Sequence, residues 1–229
     1  MSTITRFLMS HRSESLMCAL VLLILAAPLG DSRPHVGGII ALLILLVMLA
    51  GASYLANRRI VRLAVLPTAT VWITARALEA FGDSRHFYTH LAPVAGLALS
   101  CAALWAILDR LDSVPQVTTG MISEAFVCYL ILAIAFSQVY WILDHLFDHP
   151  FNQMIPASQS STFLYFSMVS LSSVGFGGIV PVNPYVRLVA ALESMTGIFY
   201  IAVVVARLVS SYRREHPSAS LGTSVPSTN

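Results

Sequence analysis

The chain has 229 residues, of which 57% are hydrophobic and only 10% are charged, with a formal net charge of +2. Soluble domains carry about 25% charged residues, so this composition excludes an ordinary soluble protein and indicates an integral membrane protein. The net charge is too small to suggest a nucleic-acid partner. The three cysteines lie inside apolar runs and are expected to be core side chains rather than disulfide partners: Cys18, Cys101 and Cys128.

Four apolar segments fill the first half of the chain. The first, 15–29, is shorter than the roughly 20 residues of a spanning helix and follows a basic stretch, so a cleaved signal peptide is one interpretation. We favour a retained helix, because no clean small-x-small cleavage site precedes Asp31. The other three segments are predicted to span the membrane at 36–56, 63–81 and 87–108.

Residues 1–112 are therefore predicted to form a region of four membrane helices. A voltage sensor carries repeated arginines on its fourth helix. Residues 87–108 contain none. Arg76 stands alone in the third segment, where Glu79 lies three positions further on and can pair with it. This charge pattern argues against steep voltage gating by these helices.

The second half of the chain shows a half-length apolar segment between two long ones. A long helix is predicted at 120–147. Residues 162–171 are apolar but too few to cross the bilayer, which favours a re-entrant helix. A last spanning helix is predicted at 183–211. Residues 213–229 lie in a stretch rich in Ser, Thr and Pro and are predicted to form a disordered cytoplasmic tail.

Arginine placement indicates the orientation of these six spans. With both termini in the cytoplasm, most arginines fall on or near the cytoplasmic face, where positive residues are favoured. Those nearer the outer side are Arg33, Arg85 and Arg187. The same orientation turns the loop after the half-length helix outward.

A hydroxyl-rich run leads into two glycines in that loop, where residues 170–181 read Ser-Leu-Ser-Ser-Val-Gly-Phe-Gly-Gly-Ile-Val-Pro. Potassium channels line their selectivity filter with backbone carbonyls from a Thr-Val-Gly-Tyr-Gly loop. The matching residues are Ser173, Val174, Gly175, Phe176 and Gly177. The stretch 163–210 therefore resembles the pore-helix, filter and inner-helix unit of the potassium channel superfamily.

The resemblance implies an all-α, six-span channel of the bacterial type, located in the inner membrane, with a pore domain at 113–212. Its filter at 172–178 would face outward. One chain supplies one pore loop whereas the family filter takes four, so the implied assembly is a homotetramer in the lipid bilayer. Monovalent cations are the other implied partners, with K+ as the permeant ion. Neither a cofactor nor enzymatic activity is expected.

Several positions depart from the family pattern. Ser172 and Ser173 replace a threonine pair, which keeps the hydroxyls but loses the stiff β-branched packing. Phe176 replaces a tyrosine and lacks its phenol group. Gly178 replaces an aspartate, so a tetramer loses four carboxylates at its outer mouth and gains backbone freedom. We expect Ser172 and Gly178 to influence filter support, and the filter to be soft, with relaxed K+/Na+ selectivity.

Two residues of the last helix are candidates for supporting roles. Gly197 is interpreted either as a gating hinge or as a small residue that allows close helix packing. Glu193 matches a glutamate that the resemblance places here in some bacterial members. We expect it to bond behind the filter rather than to bind the ion directly.

Two histidine pairs with four-residue spacing lie at predicted outer helix ends. Each pair shares a helix face and is a weak candidate for a metal or proton site. The interpretation that we favour is a set of interfacial polar residues. The pairs are His86 with His90, and His145 with His149.

The sequence thus predicts passive K+ conduction through a carbonyl-lined filter, and two alternatives stay open. A non-conducting channel-like subunit would keep the same architecture without flux. A secondary transporter would use broken helices near the membrane midplane, but such proteins are commonly built from repeats. The two halves of this chain show none.

Overall fold

A computed structural model describes residues 12–32, 86–113, 119–155 and 160–215, together with the single positions 39, 43, 67, 69–72 and 74. The chain is all-helical in these ranges, and strand-like pairing is limited to one isolated bridge. The helices are α1 (Arg12–Ser32), α2 (His86–Ser113), α3 (Thr119–Leu146), α4 (Ser160–Leu171) and α5 (Pro184–Glu215). The all-α class agrees with the sequence prediction.

Three helices in the described ranges are long and apolar enough to cross a membrane, over Glu14–Asp31, Ile122–Leu146 and Pro184–Arg207. The apolar part of α2, Ala92–Trp105, is shorter. Most of the predicted second and third spans, including Arg76 and Glu79, lies outside the described residues. The count of six spans therefore stays a prediction.

Helix ends extend past the apolar runs. α1 continues to Ser32, beyond the predicted end at 29, and α5 continues to Glu215. Residues 213–215 therefore belong to a helix and not to the tail predicted from composition, because Arg and Glu are good helix formers even where hydropathy stops. At the start of α5, the N–H of Tyr185 donates to Asn183 Oδ1 at 2.9 Å, and this bond caps the helix.

One apolar core joins the front helices to the second half of the chain. It combines Leu20 of α1, Leu99 of α2 and Ile131 of α3, all almost completely buried. Leu164 of α4 packs against the same core. α1 therefore lies against α3 and α4 of its own chain, and α2 lies against α3.

A second core, largely aromatic, surrounds the half-length helix α4. Phe163 and Phe166 of α4 are buried together with Tyr140 of α3, Phe151 of the following loop and Val186 of α5. The rings of Tyr140 and Phe166 meet edge to face with centroids 4.7 Å apart. Since α4 is held on several sides, the segment that follows it starts from a fixed position.

Candidate functional site

The predicted filter begins where α4 ends in a Schellman motif. The N–H of Ser173 donates to the carbonyl of Ser170 at 3.0 Å, and the N–H of Val174 donates to that of Val169 at 3.1 Å. Ser173 has φ 57°, the left-handed conformation that this motif needs and that usually selects glycine. The helix end and the start of the filter segment are thus one hydrogen-bonded unit.

Positive φ recurs at every second residue of the segment. Ser173, Gly175 and Gly177 have φ values of 57°, 63° and 75°, whereas Val174 and Phe176 are not in the positive region. In a regular strand successive residues face opposite sides. Alternating the sign of φ, which glycine allows at little cost, lets successive carbonyls turn towards one side. This backbone can therefore present a row of oxygen atoms.

The filter segment is surrounded by open space. The side chains of Val174 and Phe176 are 54% and 72% exposed. A Cβ atom added to any glycine of the segment would meet no atom within 4 Å: Gly175, Gly177 and Gly178. The described part of the chain does not pack against these side-chain positions.

The exit of the segment is bound to the loop between α3 and α4. The N–H of Asn152 donates to the carbonyl of Val180 at 2.8 Å, and the N–H of Val180 donates to Asn152 Oδ1 at 2.9 Å. The N–H of Val182 donates to the carbonyl of Pro150 at 2.8 Å. Nothing in the sequence pattern predicts these contacts, because Asn and Pro indicate only a loop. The segment is therefore held at both ends.

Two residues predicted to influence filter support have different surroundings. The Ser172 hydroxyl donates to the carbonyl of Met168 at 2.6 Å, so it completes the last turn of α4. Gly178 has no neighbour that a side chain would meet. Between Val174 and Val180, no backbone hydrogen bond ties the segment to the described part of its own chain.

Behind α4, Glu193 is completely buried and joins three helices. Its Oε2 accepts the hydroxyl of Tyr140 in α3 at 2.6 Å, and its Oε1 lies 2.5 Å from Oγ of Ser167 in α4. The same Oγ lies 2.7 Å from the carbonyl oxygen of Ala133 in α3. These three contacts need three hydrogen atoms to be hydrogen bonds, and the hydroxyl groups of Tyr140 and Ser167 supply only one each. All three are hydrogen bonds when the carboxyl group carries a proton too.

Gly197 lies where α5 crosses the end of α4. A Cβ atom at this position would come within 1.9 Å of the carbonyl oxygen of Leu171, so no other residue fits without moving a helix. Beside it, the Ser194 hydroxyl donates to the carbonyl of Ser170 at 2.8 Å. Close packing accounts for a glycine here without any movement, and the hinge role stays a prediction.

The histidine candidates are not assembled into a metal centre in the described part of the chain. The ring of His145 stacks on Trp141 with centroids 3.6 Å apart. His149 lies 3.6 Å from Asp148 on the surface. The side chains of His86 and His90 lie outside the described residues. No group of three or more His, Cys, Asp and Glu side chains is placed to hold a metal among the residues that the structure describes.

Comparison with known proteins gives one match. Residues 121–214 match a family model described as ion channel. The range includes nearly all of α3, the whole of α4 and the filter segment, and α5 as far as residue 214; α1 and α2 precede it. No curated protein and no solved structure matches the chain. Residues 121–214 are thus similar to ion channels, and this similarity together with the apolar helices supports a location in a membrane.

Proposed function

We propose that the chain is one subunit of a homotetrameric cation channel that conducts K+ passively. The carbonyl oxygens of residues 173–177 and the hydroxyl of Ser173 would replace the water shell of the ion. The observation that carries this proposal is the positive φ at Ser173, Gly175 and Gly177, directly after a half-length helix. The segment lies inside the range that matches ion channels.

Association of several copies is supported by the surface that one chain leaves uncovered. Only 11% of the apolar stretch of α5 is buried, and side chains such as Leu192, Ile198 and Val203 are exposed. Lipid can cover apolar side chains, but it cannot solvate the free backbone of the filter segment. Four segments around a common axis would enclose an aqueous path for the ion.

The position of α4 also favours a cation. Its C-terminal end leads directly into Ser173, and the C-terminal end of a helix carries partial negative charge. In a tetramer, four such helix ends would point at the cytoplasmic entrance of the filter.

Relaxed K+/Na+ selectivity is part of the proposal. The segment is held at Val174 and again at Val180, whereas Gly178 has no side chain to anchor the stretch between them. Selectivity depends on how carbonyl oxygens keep their number and spacing around the ion. A backbone free to move inward would lower the penalty for the smaller Na+.

The proposed topology places the end of α1, the end of α3, the start of α4 and the filter exit on one side of the membrane, and the contacts among these ends agree with it; the assignment of that side as the outer one rests on the arginines. Asp31 at the end of α1 contacts Ser161 at the start of α4. The filter exit at Val180 contacts Asn152 after α3. All these ends belong to the outer side in the six-span topology, and they lie together in the structure.

Purified protein in liposomes under a K+ gradient tests the proposal. We expect K+ efflux without any coupled substrate, and a smaller but measurable flux when Na+ replaces K+. Native mass measurement should give four copies per particle. Absence of flux in every salt would favour a non-conducting subunit, and flux that requires a second solute would favour a transporter; either result contradicts the proposal.

A further inference from the structure

Helix α1 precedes the range that matches ion channels, yet it packs directly on that range. Leu20 is 1% exposed and lies in the core shared with α3. Met17, Val21 and Ile24 pack against the same core, and their spacing places them on one helical face. Leu164 of α4 contacts this core as well. α1 therefore lies beside the pore half of its own chain.

The end of α1 reaches the beginning of α4. The Ser161 hydroxyl donates to Asp31 Oδ2, and the N–H of Ser161 lies 3.5 Å from Asp31 Oδ1. Ser161 is the second residue of α4, where N–H groups have no partner within the helix. A carboxylate at this end both accepts from these donors and offsets the positive end of the helix dipole.

We propose that Asp31 is a positioning residue for the filter, which it reaches through α4. This inference rests on the proposed channel function. Other contacts hold the middle and the end of α4, through Ser167 and Ser170, and both come from α3 or α5 inside the matched range. At the start of α4, Asp31 supplies a contact from outside that range.

The consequence concerns the direction of α4. Phe163 still packs in the aromatic core when the Asp31 contact is lost, so we expect a small change in the direction of α4, whose far end is the Schellman motif that sets Ser173. Loss of the Asp31 contact is therefore expected to disturb the first oxygen layers of the filter, and not only the stability of α1.

A double-mutant cycle in the full chain tests the pair, with Asp31→Ala, Ser161→Ala and the double variant. Loss of a typical helix cap changes a folding equilibrium about fivefold, and we expect each single variant to change the unfolding equilibrium by about this factor. The double variant should lose little more than either single one. Asp31→Asn keeps an acceptor oxygen and should lose less than Asp31→Ala.

The second readout is the K+/Na+ flux ratio in liposomes, scaled to the amount of assembled protein. Asp148→Asn is the matched control, because it removes an acidic side chain that is 97% exposed after α3. We expect Asp31→Ala to lower the ratio and the control to leave it unchanged. Equal ratios in the two variants, or additive effects in the cycle, would overturn the role of Asp31.

The two proposals fail in distinguishable ways. If the wild-type protein gives no flux in any salt, the channel function is wrong, and the filter role of Asp31 is wrong with it. The unfolding cycle then still shows whether the two side chains are coupled. If wild-type flux is present but the Asp31 variants match their control, the Asp31 proposal alone is wrong.

Discussion

The filter segment follows the end of α4, whereas Glu193 with Tyr140 and Ser167 contacts α4 within the helix, and these two regions are built in opposite ways. Phe176 in the filter is 72% exposed, whereas Glu193 is completely buried between Tyr140 and Ser167. One chain thus completes the framework behind the filter but leaves the filter itself uncovered. Under the proposed assembly, the contacts around Glu193 belong to the single subunit, whereas the filter segment would be completed only by further copies of the chain.

The largest loss of stability is expected when one methyl group is added where α5 crosses the end of α4. Gly197→Ala places a Cβ 1.9 Å from the Leu171 carbonyl oxygen, and overpacking of this kind costs about 1–3 kcal/mol, or more when backbone must move. Thermal unfolding in detergent measures the loss. Gly178→Ala adds the same atom in open space and should leave the unfolding temperature nearly unchanged. Equal melting of the two variants would contradict the packing role of Gly197.

The second-largest loss of stability is expected from removal of the buried carboxyl group of Glu193. Glu193→Ala leaves the Tyr140 hydroxyl without an acceptor, at a cost of about 1–3 kcal/mol for the unsatisfied group, whereas Ser167 keeps its bond to the Ala133 carbonyl. Glu193→Gln can accept from Tyr140 and donate to Ser167, which then donates to Ala133. We expect the Gln variant to assemble and unfold almost like the wild type. A Gln variant as unstable as the Ala variant would show that the hydrogen-bond pattern is different.

Substitution of Gly175 in the proposed filter should lower K+ flux without lowering the amount of folded protein. Gly175 has φ 63° and no neighbour within 4 Å of a Cβ, so Gly175→Ala costs about 1–2 kcal/mol of backbone strain without a clash. Because the strain lies where the carbonyls are proposed to align, we expect the segment to relax into another conformation and K+ flux to fall about tenfold, since 1.4 kcal/mol corresponds to a factor of about ten in an equilibrium. The quantity of assembled protein should stay close to wild type. Unchanged flux would exclude residue 175 from the ion path.

The smallest effect on stability is expected from restoring an acidic residue at the filter mouth. Gly178→Asp adds a carboxylate to each subunit in a place with room for it. Four such charges raise the local cation concentration, and the side chain gives the free stretch an anchor. The K+/Na+ flux ratio in liposomes should rise, with Gly178→Asn as the uncharged control. An unchanged ratio in both variants would contradict the soft-filter account.

Local patterns in the sequence predicted much of the architecture. The half-length segment at 162–171 corresponds to α4, and the long segment at 120–147 corresponds to α3 within one residue at each end. These predictions hold because hydropathy and length are properties of consecutive residues. The polar extension of α1 to Asp31 was not predictable in this way, since a helix end that leaves an apolar run has no hydropathy signal.

Gly175 and Gly177 were also predictable from the local sequence, because a positive φ favours glycine at the residue that adopts it. The sequence by itself therefore determined the membrane character, the helices around the filter and the positions where its backbone can turn. Ser173 shows the limit of that signal, since its positive φ is imposed by the hydrogen bonds that end α4.

Only the tertiary structure decided which distant residues meet. Glu193 is hydrogen-bonded to Tyr140, and Gly197 lies against the Leu171 carbonyl. Asp31 is hydrogen-bonded to Ser161, which is 130 positions away in the sequence. Such pairs depend on how helices cross, and a helix crossing is set by the summed packing of both apolar cores rather than by any one residue. This is the physical reason why the predicted filter segment could be chosen from its own residues, whereas the contacts at its two ends could not be predicted.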